Sequence, residues 1–142
     1  MTQLAFHFNA PNKVAYACKL LRKATASGAR VAVVAPPELL SRLDQELWTF
    51  SPLDFVAHSR APCDADTLAR SPVLLCDSAD QATGMGVLVN LGTTVPEGFD
   101  RFERVIEVVS LDEADRQAAR SRWKYYSGLG MDITRHDLQI AP

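Results

Sequence analysis

The sequence predicts an α/β domain in which helices pack against a mainly parallel β-sheet. Short apolar segments typical of buried strands alternate with longer segments in which apolar residues recur at helical spacing. The clearest strand is predicted over residues 30–35, an almost continuous apolar run typical of parallel sheets covered on both faces. The clearest helix is predicted over residues 110–128. This alternation favours β–α–β units within a single domain that spans residues 1–142.

The same periodicities place the remaining elements. Further strands are predicted at residues 4–8, 55–57, 72–76, 86–91 and 104–109, of which 104–109 is the last. Two earlier helices are predicted, one between Pro11 and residues 27–28 and one that begins near Pro37. Trp48 continues the leucine stripe of that second helix, which favours core or core-edge packing. Loops are expected at 60–66 and 78–84 and a short helical turn at 96–102, and the tail after Gly130 carries a weak signal.

The helix at 110–128 has recognisable ends and a narrow apolar stripe. Ser110 and Glu113 have the spacing of a capping box, and Gly128 can adopt the left-handed conformation that ends a helix. Four residues at intervals of three, four and seven are expected to lie on the sheet. They are Leu111, Ala114, Ala118 and Tyr125.

The other side of this helix is a candidate binding face. Arg116, Arg120, Trp123 and Lys124 share it at helical spacing, and a tryptophan among three cations turned away from the core is an unusual arrangement. Guanidinium groups beside an aromatic ring suit a guest that carries a carboxylate and is partly hydrophobic. The alternative is an ordinary solvated face, with Trp123 packed on a neighbouring loop.

Composition and charge narrow the class of partner. The 142 residues are 47% hydrophobic and 23% charged, with a net charge of −2 and a pI near 5.9. Direct nucleic-acid binding is disfavoured because such surfaces normally carry a basic excess, whereas a local basic face suits an acidic protein or peptide. The cysteines Cys18, Cys63 and Cys76 have no metal-site spacing, and buried, reduced thiols are expected for Cys18 and Cys76. Without an apolar run of membrane-spanning length or a secretion signal, a cytoplasmic location is expected.

Sequence patterns for catalysis are weak. The turn Asn9-Ala10-Pro11-Asn12 follows the first predicted strand without the glycines of a phosphate-binding loop, so nucleotide binding is disfavoured. His7, His58 and His136 are interpreted as structural, and no cofactor or metal is expected. The competing hypothesis is a small α/β nucleotide-binding enzyme that uses three residues without a local signature. They are Asp77, His58 and Cys63.

Five segments, in this order and spacing, resemble one known family. They are Arg42-Leu43-Asp44 with Leu47-Trp48-Thr49-Phe50, then Phe55-Val56-Ala57-His58, Val87-Leu88-Val89-Asn90-Leu91, residues 102–109, and residues 119–126. The chain thereby resembles the chi subunit of bacterial DNA polymerase III, a clamp-loader accessory protein, over nearly its whole length. The resemblance implies a Rossmann-like three-layer fold without a nucleotide-binding loop and a role as a non-catalytic connector.

The resemblance also implies partners and a site. In the family, chi pairs with the psi subunit of the clamp loader and holds the acidic, Phe-ended C-terminal tail of single-stranded-DNA-binding protein. Carried over position by position, the tail-binding residues are Val109, Arg116, Arg120, Trp123 and Lys124. The chain departs from the family pattern at Trp123, where a tyrosine is familiar, and at Ser127, where some members add a cation. No residue can be matched for the psi surface.

Overall fold

Seven parallel strands form one continuous sheet in the computed structural model, which describes residues 2–49, 57–82 and 84–138. The strands are β1 Gln3–Ala10, β2 Val31–Val34, β3 His58–Arg60, β4 Val73–Cys76, β5 Val87–Asn90, β6 Arg104–Ser110 and β7 Ile133–Asp137. Their order across the sheet is β3-β4-β2-β5-β6-β1-β7, and each neighbouring pair runs parallel. The predicted parallel α/β architecture is confirmed.

Helices cover both faces of the sheet. They are α1 Lys13–Ala26, α2 Pro37–Thr49, α3 Ala65–Arg70 and α4 Glu113–Gly128, with single 3-10 turns at Ala79–Gln81 and Phe99–Arg101. Side chains alternate between the faces along each strand, so Val31 and Val33 pack with α1 and α2 while Ala32 packs in the cluster that includes α4. The fold is therefore a Rossmann-like three-layer sandwich, with α4 on the face opposite α1 and α2.

Two elements were not predicted, and one predicted strand lies largely outside the described residues. Of the strand predicted at 55–57, only Ala57 lies within the described residues. Ala57 is exposed and precedes β3. The helix α3 begins inside the loop predicted at 60–66. Strand β7 follows Gly130, so 104–109 is not the last strand. Four of its five residues are exposed, and an edge strand of this kind lacks the apolar pattern by which buried strands are recognised.

Trp48 was expected in the core or at its edge, but most of its side chain is exposed to solvent. Its side chain is 64% exposed, and its ring lies against that of His58 with the centroids 5.6 Å apart. Leu47 takes the buried position instead. Adjacent helical residues point about 100° apart, so the two cannot share one buried stripe.

The beginning of α4 differs from the predicted capping box. Asp112, not Ser110, is the N-cap, and its side chain accepts a hydrogen bond from the backbone N–H of Asp115. Asp115 in turn accepts from the backbone N–H of Ser110 at 2.7 Å and pairs with Lys13 of α1 at 2.9 Å. Burial acts to raise the pKa of Asp115, but these donors outweigh it and the pKa lies below its usual value. At the other end, Gly130 rather than Gly128 is left-handed.

The buried side of α4 is not the predicted stripe. Leu111 and Tyr125 are 42% and 47% exposed, and Ala114 is exposed as well. The residues that face the sheet follow one another at intervals of four, three and four. They are Asp115, Ala119, Arg122 and Tyr126. Two of these four are charged, and hydropathy patterns assign charged residues to the surface, so the helix is rotated from the orientation that its apolar residues predict.

A buried polar network holds α4 in this orientation. The Glu107 carboxylate on β6 is fully buried and accepts hydrogen bonds from Arg122 Nε at 3.0 Å and from Tyr126 Oη at 2.7 Å. Asn90 Nδ2 donates to both carboxylate oxygens, at 2.9 and 3.2 Å, and Arg122 Nη1 donates to the carbonyl of Thr93. Burial raises the pKa of Glu107, and the Arg122 guanidinium opposes that rise. The network fixes which face of α4 is turned to the solvent.

His7 on β1 makes the stability of the fold sensitive to mild acid. Its Nδ1 hydrogen-bonds to Tyr16 Oη at 2.5 Å. Burial, with smaller contributions from His136 and Arg104, lowers its pKa from 6.5 to about 4. Between these two values the unfolded chain binds a proton that the folded chain does not, so the free energy of unfolding should fall as pH drops from 6.5 to 4.

We expect a His7→Gln variant, whose side chain does not titrate, to lose part of this decline. Urea unfolding of both proteins at pH 7.5 and pH 5 measures it, since the other titrating groups are common to the two chains. An equal change in unfolding free energy for the variant and the parent would contradict the assignment. His136→Gln removes one of the smaller contributions to the low pKa of His7 and should therefore retain most of the decline.

Candidate peptide-binding cleft

A cleft of about 370 Å³ lies between α4 and the strands β1 and β7. This volume is at the small end for a binding pocket and suits one aromatic side chain with a short stretch of backbone. The residues that line it come from three elements distant in sequence. They are Phe8, Asn9, Arg116, Arg120, Trp123, Lys124 and Arg135. Four of the five residues assigned from the sequence therefore lie together at one cleft.

Trp123 lines the cleft and also packs against the hydrophobic core. It is partly buried rather than turned fully away from the core, because its ring packs on Phe6 and Phe8 with centroids 5.1 and 6.1 Å apart. Aromatic pairs at these separations contribute about 0.5–1.5 kcal/mol beyond the area they bury. Val109 is fully buried in the cluster against which Trp123 packs, and it does not line the cleft. Phe8 and Trp123 together form the aromatic floor of the cleft.

Three cations from α4 form one wall of the cleft. Arg116, Arg120 and Lys124 are exposed and follow one another at intervals of four residues, so they stand in a row along the helix. Arg120 pairs with Glu113 at 3.5 Å, and both side chains are about 60% exposed. A pair of this exposure contributes little, because water and salt screen it. The row is therefore available to an anionic guest.

Asn9 and Arg135 complete the cleft from the strands. The pairing of β1 with β6 shifts register between His7 and Ala10, and Asn9 within this bulge has φ +70°. Asparagine tolerates this left-handed conformation better than most residues, and bulges often re-aim a side chain beside a functional site. Arg135 reaches in from β7, with its guanidinium carbon 4.4 Å from the centroid of the Phe8 ring. Sequence patterns missed both residues because only the tertiary fold brings them to α4.

The residues of the competing enzyme hypothesis occupy other places. His58 Nε2 lies 2.7 Å from Asp44 Oδ1, which gives it the partner that a structural histidine needs. Asp77 follows β4 and lines a crevice at the carboxyl end of the strands, and Cys63 is partly buried. Burial raises the pKa of Cys18 to about 11 and that of Cys76 to about 12, as expected for buried thiols. Within the described ranges, no group of three or more metal-ligating side chains is found.

A family model described as "DNA polymerase III chi subunit, HolC" matches residues 1–134 of the chain. The chain belongs to this family. It is 34% identical over 123 residues to the DNA polymerase III subunit chi of Pseudomonas aeruginosa. This alignment covers 86% of this chain and 84% of the relative. It is 25% identical over 118 residues to the Escherichia coli subunit of the same name, with coverages of 82% and 79%. The resemblance inferred from the sequence is confirmed, and the chain is a chi subunit, an accessory protein of DNA replication.

Among solved structures, the chain is similar to one from a Saccharomyces cerevisiae complex that contains Dbp5, Nup159, Gle1, IP6 and ADP. The TM-score is 0.58 at 15% identity, and the match covers 96% of this chain and 42% of the other. At this identity the likeness concerns the fold alone. It agrees with the parallel α/β architecture of the chi family member. A search of the described residues finds no helix both long and apolar enough to span a membrane.

Proposed function

We propose that this chi subunit is a non-catalytic connector of the replisome that binds the acidic, Phe-ended C-terminal tail of single-stranded-DNA-binding protein. The observation that carries the proposal is the concentration of charge in the cleft. Four of its seven lining residues are cationic, whereas the chain as a whole has a net charge of −2. Cations placed around an aromatic floor complement a peptide that combines carboxylates with a terminal aromatic ring.

The cleft suggests how the tail would bind. Arg120, with Arg116 and Lys124 beside it, would hold the terminal carboxylate and acidic side chains of the tail. The terminal Phe would lie on Phe8 and Trp123, where the aliphatic stems of the arginines extend its apolar contact. A few charge-assisted contacts around one aromatic anchor should give a Kd on the order of micromolar. Affinity of this order permits exchange during DNA synthesis.

We further propose that the psi subunit, where one exists, ties the chain to the clamp loader. Membership of the chi family supports this partner. The tail cleft involves only α4, β1 and β7, so α1, α2 and the β3 edge remain for other contacts. A connector needs two such separate surfaces. Co-purification of the chain with psi and the clamp loader from its own cells tests this part of the proposal independently of the tail.

Calorimetric titration with the C-terminal tail peptide of the cognate single-stranded-DNA-binding protein tests the central claim. We expect binding in the micromolar range that weakens between about 20 mM and 200 mM salt, because exposed charges are screened. Removal of the terminal Phe from the peptide should abolish measurable binding. A scrambled peptide of the same charge is the matched control. A thermal-shift panel of ATP, GTP and NAD should leave the melting temperature unchanged.

Absence of binding at several hundred micromolar peptide would refute the proposed tail interaction. Equal binding of the cognate and the scrambled peptides would show an unspecific charge effect instead. A shift with one of the nucleotides would favour the competing enzyme hypothesis and its candidates Asp77, His58 and Cys63.

A further inference from the structure

Arg135 stands on the wall of the cleft that faces the cations of α4. It belongs to the edge strand β7, whose partner β1 contributes Phe8 to the floor. The stacking of its guanidinium on the Phe8 ring places its charge next to the position where an aromatic guest would lie. The cleft is thus bounded by cations on two elements, with the aromatic floor between them.

One arginine on each wall is paired with a carboxylate of the chain itself. Arg135 Nε lies 3.1 and 3.0 Å from the two carboxylate oxygens of Asp137. Arg120 is paired with Glu113 across the surface of α4. All four side chains are between 53% and 63% exposed, so water and a guest carboxylate can both replace these partners. Each of these two arginines can therefore exchange its internal carboxylate for one that a guest supplies.

We infer that the cleft binds an acidic peptide through cations at two separate points and that Arg135 is the second of these points. This inference rests on the proposed function and extends it. The row on α4 binds the terminal carboxylate, and Arg135 binds an acidic side chain farther from the end of the tail, with the Phe ring between the two. Asp137 competes for Arg135 from within the chain and so lowers the affinity. Asn9, on the same strand as Phe8, offers its amide to the peptide backbone.

The competition by Asp137 has a direct test. We expect Asp137→Asn, which removes the competing charge at constant shape, to tighten binding of the tail peptide about two- to fivefold at low salt. Arg135→Ala should weaken binding about three- to tenfold. The double variant should bind no more tightly than Arg135→Ala alone, because Asp137 then has nothing to compete for. Arg42→Ala on α2 removes the same charge from an exposed site on the opposite face and should leave the affinity unchanged.

Peptide substitutions locate the second point. Neutralising one by one the acidic residues upstream of the terminal Phe should weaken binding to the parent chain, and for one of them this loss should vanish in Arg135→Ala. The role of Arg135 as the second binding point is refuted if each peptide substitution lowers the affinity by the same factor for both proteins. It is also refuted if Asp137→Asn has no effect on affinity. The proposed function still stands in that case, provided that the parent chain binds the tail. If the parent binds no acidic, Phe-ended peptide, both are refuted.

Discussion

Replacing Arg122 with methionine is expected to lower the free energy of unfolding by about 3–5 kcal/mol. Methionine keeps most of the volume of the side chain but removes the positive charge, and the Glu107 carboxylate is then left without a counter-ion in a site where both side chains are at most 2% exposed. Removing one member of a buried pair costs far more than the pair contributes, because the remaining charge stays desolvated. Guanidinium denaturation followed by circular dichroism at pH 7.5 measures the change.

A double variant separates charge from packing in this site. Glu107→Gln combined with Arg122→Met removes both charges, while the glutamine oxygen still accepts from Tyr126 at the position 2.7 Å away. We expect the double variant to lose distinctly less stability than Arg122→Met alone. If the free energy of unfolding of Arg122→Met lies within about 1 kcal/mol of the parent value, the network does not hold α4 as described.

Replacing Arg120 with alanine is expected to lower the affinity for the tail peptide more than tenfold and to leave the fold intact. Arg120 is 60% exposed, and its described ion pair is the long one with Glu113, so little stability is lost with it. Its place in the middle of the row on α4 puts it within reach of the guest carboxylate, and charge-assisted hydrogen bonds are the strong contacts of such a site. Calorimetric titration and thermal unfolding of the same preparation measure both quantities.

Controls for this variant come from the chain itself. Arg120→Lys keeps the charge but not the planar fork of donors and should recover only part of the affinity. Arg42→Ala again controls for net charge. A folded Arg120→Ala protein that binds the tail as tightly as the parent would disprove the residue assignment. The contrast with Arg122, two residues away, is then a contrast between binding and stability on two faces of one helix.

The sequence predicted the architecture well because buried parallel strands have a strong signature. Strands β2, β4 and β5 are wholly or almost wholly buried, and hydrophobicity on both faces leaves a continuous apolar run. Strand β7 has no such run, because it pairs on one side alone among the described strands and its residues face water. Its partner in the sheet, β1, lies more than a hundred residues earlier. Local patterns do not contain that pairing.

The sequence predicted only part of the cleft, because some of the residues that line it are brought together by the tertiary fold. Arg116, Arg120 and Lys124 share a helix face at fixed spacing, and a helix preserves such a row whatever it packs against. The rotation of α4 depends on the pairing of Arg122 with Glu107, which no hydropathy pattern encodes, and so the predicted apolar stripe was wrong. Asn9 and Arg135 reach the cleft through the bulge in β1 and the pairing of β7, which are tertiary features.

The width of the sheet determines the distance between the cleft and the opposite edge of the domain. Strands β3 and β7 occupy opposite edges of the seven, so six strand spacings of about 4.8 Å place about 29 Å between them. A peptide in the cleft sits at the β7 edge and leaves the β3 edge beyond its reach. A second partner that bound at the β3 edge would therefore not overlap a peptide in the cleft.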